Sequence, residues 1–254
     1  MGAGAFVRSL WAALAFLTAI PVSPAWIGEA PIPPRRLLWW WGVVGALIGG
    51  LAAALVGLAA LRLPWPACAA IGVVALIGLS GGLHLDGFVD MCDGLGSRAP
   101  RARALEIMKD SHVGAFGVIG AVSLILLKFG LLTGLGSTWG VAAIGAGPVV
   151  GRLTQVWILR SSRYARPEGG MGGAFFAAAE GRHVVVAAIC AVAVASAWSG
   201  LTGLLALGGG FALAAAGAVA VTRWLGGHTG DTVGAFSELA EVAFLLVLAL
   251  VIGT

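Results

Sequence analysis

Charge is what this chain has least of. Of its 254 residues, 15 are Lys or Arg and 11 are Asp or Glu, a 10% share, against roughly 25% in soluble domains. Beside 59% hydrophobic residues, that scarcity excludes a soluble fold of this size, which cannot hide so much apolar surface. It excludes disorder as well, because disorder requires low hydrophobicity. Cysteine is sparse too. Cys68, Cys92 and Cys190 are odd in number and lack CxxC or Cys/His spacing, so neither a disulfide framework nor a zinc site is indicated. No GxxxxGK[ST], HExxH or GxSxG stretch occurs, which removes a P-loop, a zinc-protease helix and a nucleophile elbow. A cleavable leader is not evident either. Phe6 to Ile20 is apolar, but Pro21 follows without a small-residue cleavage site, so this stretch reads as a retained short helix, spanning or interfacial.

What remains is an all-α polytopic membrane bundle, one domain over residues 1–254, long enough for about seven spans of some 20 residues. Apolar stretches run over 37–61, 66–83, 113–133, 139–159, 184–198, 201–222 and 238–253. The connections alternate in character. The long ones hold Arg35, Arg36, Arg98, Arg101, Arg103, Lys109, Arg160, Arg163, Arg166, Arg182 and Arg223, whereas the short ones hold only Arg62. The positive-inside rule therefore places the long loops in the cytoplasm. The same rule accounts for the net charge of +4 without invoking nucleic acid. Gly45 and Gly49, and Gly130 and Gly134, have the small-xxx-small spacing that lets helices approach; a homo-oligomer seam is the minority reading of them.

The acids are not spread evenly. Five of the 11 fall between positions 86 and 110, where a uniform spread would put about one. Asp86, Asp90 and Asp93 are spaced i, i+4, i+7, which on a helix is one face. Three carboxylates there repel one another unless a cation neutralises them, and hard cations with oxygen ligands fit, so the spacing points to Mg²⁺ or Mn²⁺. Glu106 and Asp110 form a second i, i+4 pair. If the loop between folds back, two acidic faces meet, as in phosphoryl-transfer sites. Arg98, Arg101, Arg103 and Lys109 sit among these acids and suit phosphate oxygens.

Two more polar islands lie on the same side. Residues 160–172, with Arg160, Arg163, Arg166 and several glycines, have a phosphate-binding character; anchoring of the spans is the alternative. Residues 226–234 read as a loop in which His228 and Asp231 either join the site or shape a turn. Glu238 and Glu241 follow at i, i+3 as the last span begins, and an acid entering the membrane is a functional candidate. Lys128 lies inside its span and needs a partner, for which Glu241 is a candidate. His84 precedes the acidic helix as a supporting residue. An ion pathway through the bundle is a weaker reading, because these acids lie at span ends.

With those residues in view, the chain resembles the cobalamin synthase family, the adenosylcobinamide-GDP ribazoletransferases, over essentially its whole length. The resemblance rests on residues 81–94 (GGLHLDGFVDMCDG), 105–111 (LEIMKDS) and 226–235 (GGHTGDTVGA), with a weaker match at 163–170 (RYARPEGG). Val89 and Gly170 stand where the family more often has a smaller residue and Leu. A more distant likeness is to CDP-alcohol phosphotransferases, whose DxxDG and later DxxxD are imitated by Asp90, Asp93 and Gly94 and by Glu106 and Asp110.

The resemblance implies an integral inner-membrane enzyme that joins adenosylcobinamide-GDP to α-ribazole, or its 5′-phosphate, and releases GMP. It implies Asp86, Asp90, Asp93 and Asp110 as catalytic acids holding one or two Mg²⁺, with Glu106 assisting. Arg98, Arg101 and Arg166 would then clamp phosphates, with His84, Lys109, Arg163, His228, Asp231, Glu238 and Glu241 also substrate-facing. The alternatives are another Mg²⁺-dependent phosphotransferase of the CDP-alcohol type and a cation transporter.

Overall fold

The architecture follows from a chain whose apolar stretches are broken mainly by glycine and proline. A computed structural model describes residues 3–166 and 168–253; Pro167, within the 163–170 motif, lies outside them. Among the described residues the structure is helical, and the only β-pairing is one isolated bridge between Tyr164 and His228. The helices are α1 (Ala3–Leu17), α2 (Pro24–Ile27), α3 (Pro34–Leu37) leading through a 3₁₀ turn into α4 (Trp41–Ala59), α5 (Trp65–Leu79), α6 (Leu83–Gly96), α7 (Arg101–Ile107), α8 (Ala115–Ser161), α9 (Met171–Ala178), α10 (Gly181–Leu225) and α11 (Gly230–Ile252). Proline at the first turn starts α2, α3 and α5, where its missing N–H costs nothing.

Four of these elements are long and apolar enough to cross a bilayer, or five if α5 and α6 are taken as one bent span. Two of the four fold back on themselves. Gly136 in α8 and Gly200 in α10 have positive φ and non-helical ψ. In α8, Lys128 and Arg152 both reach Glu241, although 24 residues of straight helix would hold them about 36 Å apart. In α10, a Cβ on Gly203 would run into the Ala195 carbonyl. The sequence-based count of seven spans treats each arm of these two hairpins separately.

Helix α11 is the centre of the bundle and packs against α8, α10 and α6. Small residues set the spacing. A Cβ on Gly45 would lie 2.9 Å from the Pro148 carbonyl oxygen, and one on Gly49 would strike the Gly145 backbone. This glycine pair is therefore a seam within the chain, between α4 and the second arm of α8. Gly130 and Gly134 face open space.

The feature that creates the site is the end of α5. The chain turns 91° there into α6, with Gly81 and Gly82 taking the positive φ that the corner requires. Helix α6 thus lies across the end of the bundle, over the first turns of α8 and α11. A Cβ on Gly120 would press on Cys92, and one on Gly87 would lie 2.5 Å from the Asp231 carbonyl oxygen.

Inside the bundle, Lys128 donates to Glu238 (2.6 Å) and to Glu241 (2.7 Å). Arg152 lies 3.7 Å from Glu241 and donates to the Ser237 hydroxyl at 3.0 Å. Two cations and two anions neutralise one another where water is scarce, which is the condition for burying them.

Candidate active site

A cavity of about 460 Å³ opens at the end of the bundle that α6 covers. That volume suits a ligand the size of a small drug or a nucleotide. The polar part of its wall is built by five segments: His84 and Asp86 from α6, Lys109 after α7, Gln155 from the second arm of α8, Tyr164, Arg166 and Glu168 from the loop after α8, and Asp231 from α11. The apolar part comes from α1, α4, α9 and the second arm of α8.

The two polar islands come together as a paired unit. The Ala165 N–H donates to the His228 carbonyl and the His228 N–H to the Arg163 carbonyl, each at 2.9 Å. Arg163 Nε donates to the Gly226 carbonyl at 2.6 Å. Arg101 straps α7 onto both islands by donating to the Leu225 and Ala165 carbonyls. His228 is fully buried, with its ring nitrogens 3.0 Å from the Thr222 and Thr232 hydroxyls. Burial pushes its imidazole down to about 4 against the opposing bond to the Ala218 carbonyl, so it stays neutral. Arg101, Arg163 and His228 thus hold the loops that carry Arg166 and Asp231; none of the three lines the cavity.

Helix α11 starts at Thr229, whose hydroxyl accepts from the Thr232 N–H at 3.2 Å. Asp231 therefore sits in the first turn, where the helix dipole favours a carboxylate. Because residue 87 is glycine, α6 approaches this turn closely enough to bring Asp90 into the field of Asp231. The Asp90 carboxyl is pushed up to about 7 by burial first, then by Asp231 and Asp86 and less by Asp93, with Arg166 opposing. Arg166 donates to Asp231 Oδ2 at 2.8 Å and to the Met108 carbonyl at 3.3 Å. Its Nε has no partner. Arg166 thus bonds Asp231 and acts on Asp90 at longer range; Asp86 and Asp231 line the cavity with it, whereas Asp90, one turn along α6, does not line it.

Other acids go elsewhere. Asp93 accepts from the Gly114 and Gly117 N–H groups at 2.8 Å each. Both its oxygens cap the N-terminus of α8, which fixes α6 on the bundle. Glu106 pairs with Arg103 at 2.9 Å in an exposed i, i+3 contact. Asp110 binds the His112 ring and N–H, and these bonds hold its carboxyl below the usual range. Neither Glu106 nor Asp110 lines the cavity, nor does Arg98, which is exposed in the turn between α6 and α7. Glu238 and Glu241 point instead to Lys128 in the bundle core. The expected meeting of two acidic faces is thus replaced by a meeting of α6 with the start of α11.

Among the described residues no three His, Cys, Asp or Glu side chains converge closely enough to enclose an ion by themselves. The donor set nevertheless fits Mg²⁺ or Mn²⁺. Such ions take one or two carboxylates and complete their shell with water and phosphate oxygens, and the rim supplies excess carboxylate.

Sequence reasoning did not single out Trp41, Gln155, Tyr164, Phe175 or Phe176, all of which line the cavity. Gln155 carried a signal, standing with Arg152 and Thr154 as a polar group inside a span; Tyr164 is the only tyrosine in the chain.

Residues 9–249 match the family model described as cobalamin-5-phosphate synthase. Relatives named adenosylcobinamide-GDP ribazoletransferase include one from Klebsiella pneumoniae (strain 342), 38% identical over 95% of this chain and 99% of its own length. Another, from Leptothrix cholodnii, is 39% identical over 94% of each chain. No solved structure matches.

Proposed function

The chain belongs to the cobalamin-5-phosphate synthase family, and we propose that it performs the transfer for which its relatives are named. It joins adenosylcobinamide-GDP to α-ribazole, or to its 5′-phosphate, and releases GMP. The observation that carries this reading is the cavity wall, where Asp86, Asp231, Arg166 and Lys109 stand together, with Asp90 in the field of Asp231 and Asp86 just behind them.

The ribazole 3′-hydroxyl attacks the phosphorus attached to the cobinamide side. The bond from that phosphorus to the bridging oxygen breaks, GMP leaves with the electron pair, and the hydroxyl proton passes to a rim carboxylate. Arg166, oriented by Asp231 and the Met108 carbonyl, and Lys109 bind the diphosphate oxygens. Asp86, Asp90 and Asp231 would hold Mg²⁺ or Mn²⁺, which when bound supplies charge neutralisation for the diphosphate and the leaving phosphate. Asp93 holds α6 in register by capping α8.

The apolar helices suit a bilayer, and the arginine-rich loops that build the cavity support a site at the cytoplasmic face of the inner membrane by the positive-inside rule. Purified protein incubated with adenosylcobinamide-GDP, α-ribazole and Mg²⁺ is predicted to give equimolar GMP and cobalamin by mass. CDP-alcohol donors turned over equally well would contradict the assignment.

A further inference from the structure

Helix α1 is apolar but short. Its 15 residues reach about 22 Å at 1.5 Å per residue, against roughly 30 Å of hydrocarbon to cross. Its path is fixed near both ends. Near its start, the Trp40 indole donates to the Ser9 hydroxyl at 2.9 Å, and Phe6 packs on the Trp40 ring at 4.4 Å. Just past its end, the Ala19 N–H donates to the Leu79 carbonyl at 2.9 Å, and a Cβ on Gly81 would touch Ala19. Trp40 leads into α4, and Leu79 closes α5. Those two helices pack on each other and are joined by the short turn 60–64. They therefore run antiparallel, and the start of α4 lies level with the end of α5. Helix α1 thus runs along one face of the bundle, from α4 to α5, and does not pass through it. That face carries the cavity, whose wall includes Phe16 and Leu17.

Helix α2 folds back on α1. Arg8 donates to the Ile27 carbonyl at 2.7 Å and to the Ala30 carbonyl at 3.2 Å, and the Trp11 and Trp26 rings lie 4.7 Å apart. The one charged side chain of α1 is therefore held on carbonyls of the hairpin. What the hairpin presents outward is apolar: Phe6 is 41% exposed, Val7 50% and Trp26 52%. At the same level begins the outward stripe of α4, where Val43, Leu47, Leu51 and Leu55 recur at i, i+4 and are all exposed. A stripe of that kind on a spanning helix faces acyl chains, so its upper end marks the depth of the headgroups. Tryptophan and phenylalanine on a helix parallel to the membrane suit that boundary.

We propose that the α1–α2 hairpin is an in-plane lipid anchor, whose partner is the bilayer surface on the side of the cavity. Phe6, Val7 and Trp26 sit at the boundary between headgroups and acyl chains, about 5–10 Å deep. The cavity then opens at that boundary, because Phe16 and Leu83 both line it and are both exposed. This placement does not depend on which reaction the cavity performs.

The test is the depth of nitroxide labels. Val7→Cys, Ala15→Cys, Trp26→Cys and Leu51→Cys are made singly in a Cys68→Ala, Cys92→Ala, Cys190→Ala background and labelled. Each protein is reconstituted in phosphatidylcholine–phosphatidylglycerol vesicles and read by EPR power saturation, with oxygen against a water-soluble nickel chelate. Val7 and Ala15 are exposed and stand about 12 Å apart along α1. The two are expected at one depth to within about 5 Å, just below the headgroups, with Trp26 beside them. Leu51, about 15 Å along α4 from Trp41, is expected near the bilayer centre.

A depth difference of about 12 Å between Val7 and Ala15, their full separation along the axis, would mean that α1 enters the membrane end-on. Full access of the nickel chelate to both would put the hairpin in water. Shielding from both reagents would mean that protein covers it, a second copy included. Each of these three results overturns the proposal. Any two of the three hairpin labels, in protein that elutes monodisperse, decide the outcome.

Discussion

Gly87→Ala is the smallest change that should separate the two helices forming the rim. An added Cβ would lie 2.5 Å from the Asp231 carbonyl oxygen and 2.9 Å from its Cα, roughly 1 Å inside the ~3.5–4.0 Å optimum for heavy atoms. Both neighbours are backbone, so neither can rotate away, and α6 and the first turn of α11 must part. Overpacking of this kind costs about 1–3 kcal/mol. Asp93 still caps α8 and Arg101 still straps the loops, so the bundle is expected to fold. A displacement of about 1 Å at a reacting centre can cost on the order of 100-fold in rate. Gly87→Ala is therefore expected to lower kcat about 100-fold, to weaken apparent Mg²⁺ affinity, and to reduce Tm by a few degrees.

Gly50→Ala is the control, because nothing lies within 4 Å of a Cβ there; helix propensity predicts no loss of stability. GMP release followed across a Mg²⁺ titration reads both variants. Wild-type kcat and metal dependence in Gly87→Ala would refute the claim that this contact sets the rim.

Other perturbations have equally definite signs. Asp90 ionises near pH 7, so a cation must displace a proton below that pH; apparent Mg²⁺ affinity, read from activity titrations, should fall as pH drops from about 7 to 5.5. Asp90→Asn should abolish that trend. The His228 imidazole is held at about 4 when folded, against 6.5 as its ordinary value. Only the unfolded chain takes up a proton between these values, so stability is full above about 6.5 and is lost as pH falls toward 4. Thermal melts of wild type and His228→Gln across that window should converge at low pH. Lys128→Met leaves Glu238 buried without its cation and Glu241 with Arg152 alone, which should cost about 3–5 kcal/mol and show as loss of monodisperse protein in detergent.

How far the residues could be read depended on whether neighbours in space were also neighbours in sequence. Asp86 and Asp90 share a face by spacing alone, and the structure leaves them on it. Glu106 and Asp110 have the same i, i+4 spacing, yet α7 ends at Ile107 and Asp110 lies beyond it, so the spacing never becomes one helical face, and both acids are exposed. Asp231 joins the rim through contact between α6 and α11, allowed by a missing Cβ at residue 87, and no local pattern encodes that distance. Asp93 lies one turn past Asp90, but the nearest positive charge there is the N-terminus of α8. The membrane class, by contrast, was legible, since apolar runs and arginine asymmetry respond to the bilayer directly.

The account stands or falls on which acids form the rim. The most direct measurement is kcat for Asp86→Asn, Asp90→Asn and Asp231→Asn beside Asp110→Asn and Glu106→Gln, each at saturating Mg²⁺ and donor. The first three are predicted to lose about 100-fold or more, the scale of removing one group that stabilises developing charge, and the last two to stay within a few-fold of wild type. Near-normal turnover in Asp231→Asn with collapse in Asp110→Asn would contradict the account and move the metal to α7.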